Sequence, residues 1–597
     1  MQLIPHKNTT LTICQKFFIE KSLELLNIGT IDSYRVRLNN SKSILEELNY
    51  CLKEFSKGRI KHFQTIKAKE SGSKAIVDEA ISLIETDTNY LVFTSFSKEY
   101  FKQLLNNLKE DNYKKVVSCI DILLTENANY LQNSIQQLEV LINANLTTIE
   151  HFQVIDRTLN AIFSELITKG FSKGFLFKLV YGIFVNTLDN TKTFADHFDN
   201  FKTRIQNDKS AYNVIFRIDT TQKVYEAIST INTNATFVIQ DDINAIQATL
   251  NHKPELTRFN TTAPSRKFIM CSVEALDYLS ALKRARITLS EYLDVINLGL
   301  SDETLDIHNR VLVIDNRSPE KGAFQSNINF LDGKYKVAKD HYQQFTSKIP
   351  LIINNPNISA ETKEKIKSAV RYLRLGNQST EVEHKFINYW IGLEYLFSNY
   401  ESQSTINRLK DHFITAHSLA YVKRNVHSFQ KAFNQLSTAT KTTIDKYTDA
   451  NTDYLLDVDF YTSIEATLGN DYPLITYRAM KLKSWFFKPG KAPNATDYLT
   501  MHKTNLEIHF TRIYRLRNEI IHDAVTNTNN EQITSNLRYY LTFILNELID
   551  YFSKSHIIEI SIEDFFVLNE LKLGNIKQGG YQLNELMNIN CSIDFIN

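Results

Sequence analysis

Apolar residues along the first third of the chain recur at steps of three and four positions. The stretches DEAISLIETDTNYLVF (78–93), SIQQLEVLINANL (134–146) and LNAIFSELITKGF (159–171) all follow this spacing. Such spacing places the apolar side chains on one face of an α-helix. The pattern therefore predicts a helical N-terminal region over residues 1–205, and no fixed-period repeat accompanies it.

The pattern changes over residues 206–358. Short runs of β-branched and apolar residues, ATFVIQ (235–240), RKFIMCSVEA (266–275) and RVLVID (310–315), are separated by Asn, Asp, Pro and Thr. Runs of this kind predict strands. Because a helical pattern over 276–298 interrupts them, we expect an α+β middle domain.

Helical spacing returns over residues 359–555. Ser359 is a predicted helix N-cap, and Thr380 with Glu383 matches a capping box, in which each side chain satisfies a backbone N–H group of the other residue. Apolar residues then recur along one face, which predicts a stripe that faces a core. The stripe consists of Phe386, Trp390, Leu393 and Phe397.

Two further helices are predicted near the C-terminus. One begins near Asn494 and ends near residue 522, and the other covers 536–552. The last segment, 556–597, mixes a short strand-like run with polar residues, and it is predicted to be a tail.

Composition supports a mainly α protein, since only 16 Gly and 9 Pro occur in 597 residues and these residues break helices and shape turns. The 68 Lys and Arg residues nearly cancel the 67 Asp and Glu residues. The net charge therefore does not indicate that the chain as a whole binds nucleic acid electrostatically, and any surface that binds nucleic acid is local.

The sequence favours a cytoplasmic protein without a membrane partner. The five cysteines show no Cys-x-x-Cys spacing, which indicates neither a disulfide framework nor a zinc cluster and fits a reducing compartment. The N-terminus does not resemble a secretory signal. The most apolar stretch, 174–185, is too short to cross a bilayer.

The stretch RLRNEIIHDA carries the candidate chemistry. At 100° per residue, Leu516 and Ile520 fall on a core-facing stripe, whereas Arg517, Asn518 and His522 fall on the opposite face. Asn518 and His522 stand one helical turn apart, close enough for the amide to orient the ring. Spacing alone is more typical of a solvated helix face.

These residue types suit cleavage of RNA at its own 2′-OH. The reaction needs a base for the 2′-OH proton, an acid for the leaving 5′-oxygen and positive charge at the phosphorus. Histidine titrates near neutral pH, and arginine matches phosphate oxygens. No metal or other cofactor is required. Because one helix supplies one histidine, a two-fold dimer is the natural completion.

The same stretch, YRLRNEIIHDA, resembles the R-N-x-x-x-H signature of the HEPN superfamily, compact helical domains of which many are metal-independent ribonucleases. HKFINYWIGLEYLFS (384–398) resembles the Trp and Leu-Glu helix of the Apea-like HEPN group. The resemblance covers about residues 360–555 and implies a HEPN-type helical bundle. It assigns Arg517 to the scissile phosphate, Asn518 to the polar position after that arginine, and His522 to acid or base catalysis.

A basic and aromatic segment, RAMKLKSWFFKPGK (478–491), separates the two matched helices and looks like an insertion. Basic side chains that hold phosphates and aromatic rings that stack on bases form single-strand RNA surfaces. An alternative is aromatic packing beneath a solvated basic rim. The predicted RNA-binding residues are Lys483, Trp485 and Lys488, with Arg512 and Arg515 extending the strip toward the motif.

Other candidates are weaker. Glu394 could position Arg517 or His522, although a helix-surface carboxylate is the simpler interpretation. His502 and His509 fall on the core-facing side of the motif helix and are interpreted as packing or capping groups. No residue set with metal-ligand spacing is found, and the phosphate-cradling and nucleophile-elbow motifs are missing, which argues against an ATPase or a serine hydrolase.

The leading hypothesis is a HEPN-type endoribonuclease that acts as an effector in anti-phage, abortive-infection-like defence. By resemblance, its RNA-cleaving site lies in a homodimer, and residues 1–358 sense an unknown phage or cellular trigger or restrain the enzyme. Two alternatives remain open: a non-catalytic RNA-binding or dimerisation scaffold, and a toxin controlled by a separately encoded antitoxin.

Overall fold

A computed structural model gives the fold of the chain. It describes residues 3–4, 6–27, 39–58, 73–87, 91–144, 146–231, 237–244, 246, 254–261, 263, 266–297, 305–317, 323–325, 339–379, 381–399, 404–523, 531–554 and 556–590. Within these residues the protein is mainly helical, with one sheet in the middle of the chain, as the hydrophobic pattern predicts. None of the described helices combines the length and apolar character needed to span a bilayer.

The N-terminal region is helical up to residue 205, as predicted. Thr12 and Thr148 cap two of its helices by accepting hydrogen bonds from backbone N–H groups, which satisfies donors that a helix start leaves unpaired. One turn of π-helix, Gly182–Asn186, follows the eighth α-helix. The helices are α1 (Ile13–Leu26), α2 (Ser41–Ser56), α3 (Ser73–Thr86), α4 (Lys98–Asn106), α5 (Tyr113–Glu126), α6 (Tyr130–Asn143), α7 (Ile149–Lys169), α8 (Lys173–Tyr181) and α9 (Phe194–Ile205).

These helices surround two separate apolar cores. The first core is built mainly from α1 and α6–α9 and contains a group of aromatic rings around Phe17 and Phe18. The second core is built mainly from α2–α5, and Tyr130 and Ala161 connect it to α6 and α7. The N-terminal region therefore consists of two packed units rather than one.

The middle region contains an antiparallel sheet of five strands in the order β2-β3-β1-β4-β5. The predicted runs 266–275 and 310–315 are strands, as are the described residues 237–240 of the third run, and the predicted helix over 276–298 is present. The central strand β1 alternates less clearly because both of its faces are covered, and the sequence pattern did not single it out. The elements are β1 (Ser210–Thr220), α10 (Gln222–Ile231), β2 (Phe237–Gln240), α11 (Pro254–Phe259), β3 (Arg266–Ala275), α12 (Tyr278–Asn297), β4 (Leu305–Asp315) and β5 (Ala323–Gln325).

The C-terminal region is a helical bundle around one large core. Its third helix, α15, buries the whole predicted apolar stripe. Ser359 is an N-cap, as predicted, whereas Thr380 lies outside the described residues and α15 begins at Val382. The helices are α13 (Lys339–Ile353), α14 (Ala360–Gln378), α15 (Val382–Phe397), α16 (Thr405–Phe433), α17 (Thr438–Lys441), α18 (Val458–Leu468), α19 (Pro473–Phe486), α20 (Thr496–Asp523), α21 (Glu531–Phe552), α22 (Ile562–Gln578) and α23 (Leu583–Asn588).

The predicted C-terminal tail differs from the structure, because most of it is helical and packed. Phe566 of α22 stacks on Phe397 with ring centroids 5.0 Å apart, and Arg408 of α16 forms an ion pair with Glu563. The strand-like run contributes only a single bridge between Ile560 and Ile358. The apolar residues of the tail therefore extend the bundle core rather than form a separate strand.

Candidate functional site

The motif helix α20 lies along the bundle core in the orientation that its periodicity predicts. Leu516 and Ile513 are buried, and Tyr514 contacts Trp390 of α15 with ring centroids 6.0 Å apart. This contact brings the two helices that carry the HEPN-like signatures together. The apolar stripe fixes the rotation of α20, so that Arg517 and Asn518 lie at the edge of the core.

Arg517 and Asn518 contact each other directly. The Arg517 Nη1 atom donates a hydrogen bond of 3.0 Å to Asn518 Oδ1, and both residues are half-buried. The Nε atom of Arg517 is buried without a hydrogen-bond partner. Among the residues that the structure describes, no carboxylate lies within ion-pair distance of the Arg517 guanidinium. Within the described part of the chain, the guanidinium has the Asn518 amide as its one hydrogen-bond acceptor.

His522 belongs to the last turn of α20, and its side chain lies outside the described part of the structure. Its backbone position is one turn beyond Asn518, which is the register that the sequence predicts. The segment that joins α20 to α21 likewise falls outside the described residues.

Arg512 and Arg515 are not a free basic strip, which corrects the sequence-based expectation for them. The carboxylate of Glu47 in α2 accepts hydrogen bonds from Arg512 Nε at 2.9 Å and from Arg515 Nη2 at 2.6 Å. Arg512 Nη2 also donates to Glu47 at 2.6 Å and to Glu79 of α3 at 2.7 Å. Both arginines are therefore neutralised by the N-terminal region, more than 400 residues away in sequence.

The surroundings of Arg515 keep it charged. Burial alone would lower its pKa, but Cys51 and Glu47 more than offset this effect, so the pKa of Arg515 lies above its ordinary value. Its Nη1 atom lies 3.1 Å from the Cys51 sulfur, and burial raises the pKa of that thiol to about 11. The thiol is therefore protonated near neutral pH, where the negative charge beside Arg515 is that of the Glu47 carboxylate, and Cys51 adds negative charge only above its own pKa.

The segment predicted as an insertion is mostly the end of α19, and it joins the N-terminal and C-terminal regions. Leu474, Tyr477 and Met480 belong to the same apolar core as α1 and α7. Arg478 forms an ion pair with Glu24, and burial lowers the pKa of Arg478 to about 10. The start of the basic segment is therefore packed against the N-terminal region, with the Arg478 side chain partly buried.

Asp156 of α7 is the centre of this junction. It accepts a hydrogen bond of 2.8 Å from the Tyr477 hydroxyl and forms ion pairs with Lys481 at 3.1 Å and Lys21 at 3.2 Å. Burial alone would raise the pKa of Asp156, but Lys21 and Lys481 outweigh burial and lower it.

The predicted RNA-binding residues of the segment are also engaged. Trp485 stacks on Tyr498 with ring centroids 4.3 Å apart and packs against the bundle core. Lys483 forms an ion pair of 3.1 Å with Glu465, and Lys488 forms one with Asp497. The geometry matches the alternative interpretation, with aromatic packing beneath a basic rim.

The remaining candidates have structural partners. The Trp390 indole donates a hydrogen bond of 2.9 Å to Glu394 within α15. His502 is fully buried, 3.1 Å from His417 and stacked on Tyr421 at 3.7 Å, and burial holds the pKa of His502 well below its ordinary value. His509 is also buried. The prediction that both histidines are packing groups on the core side is confirmed.

A second contact from outside the bundle holds the start of α21, the helix that follows the motif. Glu531, in its first turn, is buried and forms ion pairs with Lys283 and, at 3.8 Å, with Arg286 of α12. The motif helix α20 and the following helix α21 therefore both form ion pairs with regions that precede the bundle.

No protein-family model, curated protein or solved structure matches the chain. Within the described part of the chain, no three His, Cys, Asp or Glu side chains cluster as metal ligands. The residues that sequence reasoning missed are Glu47, Glu79 and Asp156. Each is an ordinary polar position on an amphipathic helix, and no local signal distinguishes it, since its partners lie hundreds of residues away.

Proposed function

We propose that the protein is a HEPN-type, metal-independent endoribonuclease whose site is formed by Arg517, Asn518 and His522. The observation that carries this proposal is Arg517. Its guanidinium is half-buried and has no carboxylate partner among the described residues, whereas Arg512 and Arg515 of the same helix both form ion pairs with carboxylates. Holding an uncompensated cation in a partly buried position is costly, and a phosphate group would neutralise it.

The geometry suits the positioning of a phosphate. Asn518 fixes the guanidinium through one of its two terminal nitrogens, which leaves donors of the planar fork for phosphate oxygens. Arg517 would stabilise the charge that develops on those oxygens as the 2′-oxygen attacks phosphorus.

His522 would carry the proton transfers. A base removes the 2′-OH proton, the 2′-oxygen forms a bond to phosphorus, and the bond to the 5′-oxygen breaks as an acid protonates it. The products are a 2′,3′-cyclic phosphate and a free 5′-hydroxyl. The base and the acid are the two copies of His522 in a homodimer, since each chain supplies one histidine in this motif.

As an effector of anti-phage defence, the enzyme would cleave cellular RNA once a trigger acts on residues 1–358. The contacts of α2, α3 and α12 with the helices around the motif support a restraining role for the preceding regions. An outer RNA-binding surface would be formed by Lys483, Trp485 and Lys488 only if these residues separated from their present partners.

The direct test compares RNA cleavage by the wild type, Arg517→Ala and His522→Ala in the presence of a chelator. Loss of acid–base catalysis at His522 lowers rates by about a hundred-fold to ten-thousand-fold. Loss of a group that stabilises the transition-state charge, as at Arg517, lowers rates by about a hundred-fold to a thousand-fold, so both variants should be nearly inactive. The matched controls are Arg371→Ala and His384→Ala, which remove exposed residues on α14 and α15 and should cleave like the wild type.

The chemistry of the RNA ends and the oligomeric state complete the test. Ends with 2′,3′-cyclic phosphate, together with a dimer in analytical ultracentrifugation, are the expected results. Equal cleavage by the wild type and the two motif variants under activating conditions would contradict the proposal. RNA binding without cleavage by the wild type would instead favour the scaffold alternative.

A further inference from the structure

The contact between the N-terminal region and the motif helix is an ionic cluster of unusual density. Five charged groups meet there within hydrogen-bonding or ion-pair distance, and Glu47 bridges Arg512 and Arg515. Glu79 adds a second carboxylate at Arg512, and Glu519 lies 3.7 Å from Arg515. We call the contacts of Glu47 and Glu79 with the two arginines the acid clamp.

The clamp binds the arginines through the same hydrogen-bond geometry that a phosphate would use. Arg512 binds Glu47 through Nε and Nη2 side by side, at 2.9 Å and 2.6 Å. This paired geometry is the one by which guanidinium groups recognise both carboxylates and phosphates. The carboxylate oxygens of Glu47 and Glu79 therefore occupy guanidinium donors that phosphate oxygens of RNA could also bind.

The clamp lies beside the candidate site on the same helix. At 1.5 Å per residue, Arg512 and Arg515 are within about 8 Å of Arg517 along the axis of α20. At 100° per residue, Arg515 lies about 60° around the helix from Asn518. Arg512 lies a further 60° around the helix, about 120° from Asn518 and about 140° from Arg517. RNA placed on Asn518 would therefore meet Arg515 first and Arg512 after it.

The clamp is the kind of contact that can open. The apolar core of α2–α5 includes no residue of α20, and the bundle core includes none of α2 or α3. By contrast, α19 shares Leu474, Tyr477 and Met480 with the core around α1. The α19 junction is thus held by apolar burial, whereas α2 and α3 meet α20 mainly through charged groups.

We infer that Glu47 and Glu79 act as an intramolecular competitor of RNA, so that Arg512 and Arg515 bind RNA phosphates only when α2 and α3 leave the motif helix. This inference rests on the proposed function, because it assigns the regulation of the same site. Opening exchanges two carboxylates for phosphates on the same guanidinium groups.

The test uses the full-length chain with the substitution His522→Ala, so that bound RNA is not consumed. Into this background we would introduce Glu79→Gln, Glu47→Gln or both. Glu85→Gln is the matched control, because Glu85 is also on α3 but is exposed and forms an ion pair with Lys102. Binding of a fluorescein-labelled single-stranded RNA oligonucleotide is measured by anisotropy at several KCl concentrations, and hydrogen exchange is followed over residues 41–56 and 73–86.

The double variant should bind RNA about ten-fold tighter or better, and α2 and α3 should exchange faster. Each phosphate contact on a single strand changes the slope of log K against log salt by about 0.7, so two released arginines should steepen it by about 1.4. Glu79→Gln, which leaves Arg512 on Glu47, should produce a smaller gain. Glu85→Gln should match its parent in affinity, slope and exchange.

The inference is overturned if α2 and α3 are released without a gain in RNA affinity, or if neither quantity changes. Should the double variant fail to fold, unchanged RNA affinity in Glu79→Gln overturns it as well. A failure of the proposed function is distinguishable, because it shows as an absence of cleavage by the wild type under activating conditions while the clamp variants still gain RNA affinity.

Discussion

The basic segment at the end of α19 and the motif at the end of α20 both contain several basic residues. The surroundings of these residues differ in the folded protein. In α19, Arg478 and Lys481 are paired with Glu24 and Asp156 in a junction that shares an apolar core with the N-terminal region. In α20, Arg517 has only the Asn518 amide as a hydrogen-bond partner among the described residues. The cationic character of a segment thus says little about whether its charges are available to a ligand.

The reason is electrostatic. Removing a cation from water is costly unless an anion or a ligand replaces the water. A partly buried basic residue with a carboxylate partner is therefore explained by the fold alone, as for Lys481. A half-buried basic residue without one, as for Arg517, points to a ligand.

The largest expected effect separates the junction from the motif. Asp156→Ala leaves the buried Lys21 and the partly buried Lys481 without the carboxylate that they share. Removing one partner of a buried ion pair typically costs about 3–5 kcal/mol, and urea unfolding should show a loss of this size. Asp199→Ala, at an exposed carboxylate of α9, is the control and should change stability little. A loss as small as that of the control would mean that the junction is not a structural centre.

The two faces of α20 can be compared at adjacent positions. Leu516 is 3% exposed, and replacing a buried leucine by alanine typically costs about 2–5 kcal/mol. Leu516→Ala should therefore destabilise the protein strongly, whereas Arg517→Ala should leave its stability near that of the wild type. Thermal unfolding of both variants measures the difference. A large loss of stability in Arg517→Ala would assign that arginine to the fold rather than to a ligand.

The buried His502 of α20 predicts that the stability of the protein depends on pH. Because the folded pKa of His502 is lowered, the unfolded state binds more protons below its ordinary pKa of about 6.5. The stability associated with neutral His502 is present above that pH and is lost as the pH falls. His502→Gln should lose less unfolding free energy than the wild type between about pH 7 and pH 5. His384→Gln, at an exposed position, should follow the wild type, and a wild-type-like profile for His502→Gln would contradict the prediction.

The smallest effect is expected at the rim of the basic segment. Lys483 and Glu465 are partly exposed, and surface ion pairs of this kind contribute about 0.2–1 kcal/mol. Lys483→Ala should therefore change the unfolding free energy by no more than this amount, and less at high salt because exposed charges are screened. A loss comparable to that of Asp156→Ala would place Lys483 in the structural junction instead of on a rim.

Local sequence predicted several features of the fold and part of the candidate site. The stripe Phe386, Trp390, Leu393 and Phe397, the cap at Ser359 and the core side of α20 follow from helical periodicity and from unpaired N–H groups at a helix start. The burial of His502 and His509 followed from the same periodicity. These features depend on residues a few positions apart, so local pattern suffices.

Features that depend on distant partners were not predictable in this way. The pairing of Arg512 with Glu47 and Glu79 joins positions separated by 465 and 433 residues. The packing of α22 and α23 into the bundle likewise depends on apolar residues that read locally as a tail. Neither the ion pairs nor the helix packing can be recognised from the spacing of nearby residues.

The sequence by itself determined which face of each helix is apolar and which residues share a face, because those relations are fixed by the geometry of one helix. Only the tertiary structure decided which cations remain available to bind a ligand. That outcome depends on whether a carboxylate from another part of the chain reaches them: Glu47 and Glu79 reach Arg512, and Glu47 also reaches Arg515. No described carboxylate reaches Arg517, and this difference, set by folding rather than by composition, makes its guanidinium the candidate for a phosphate.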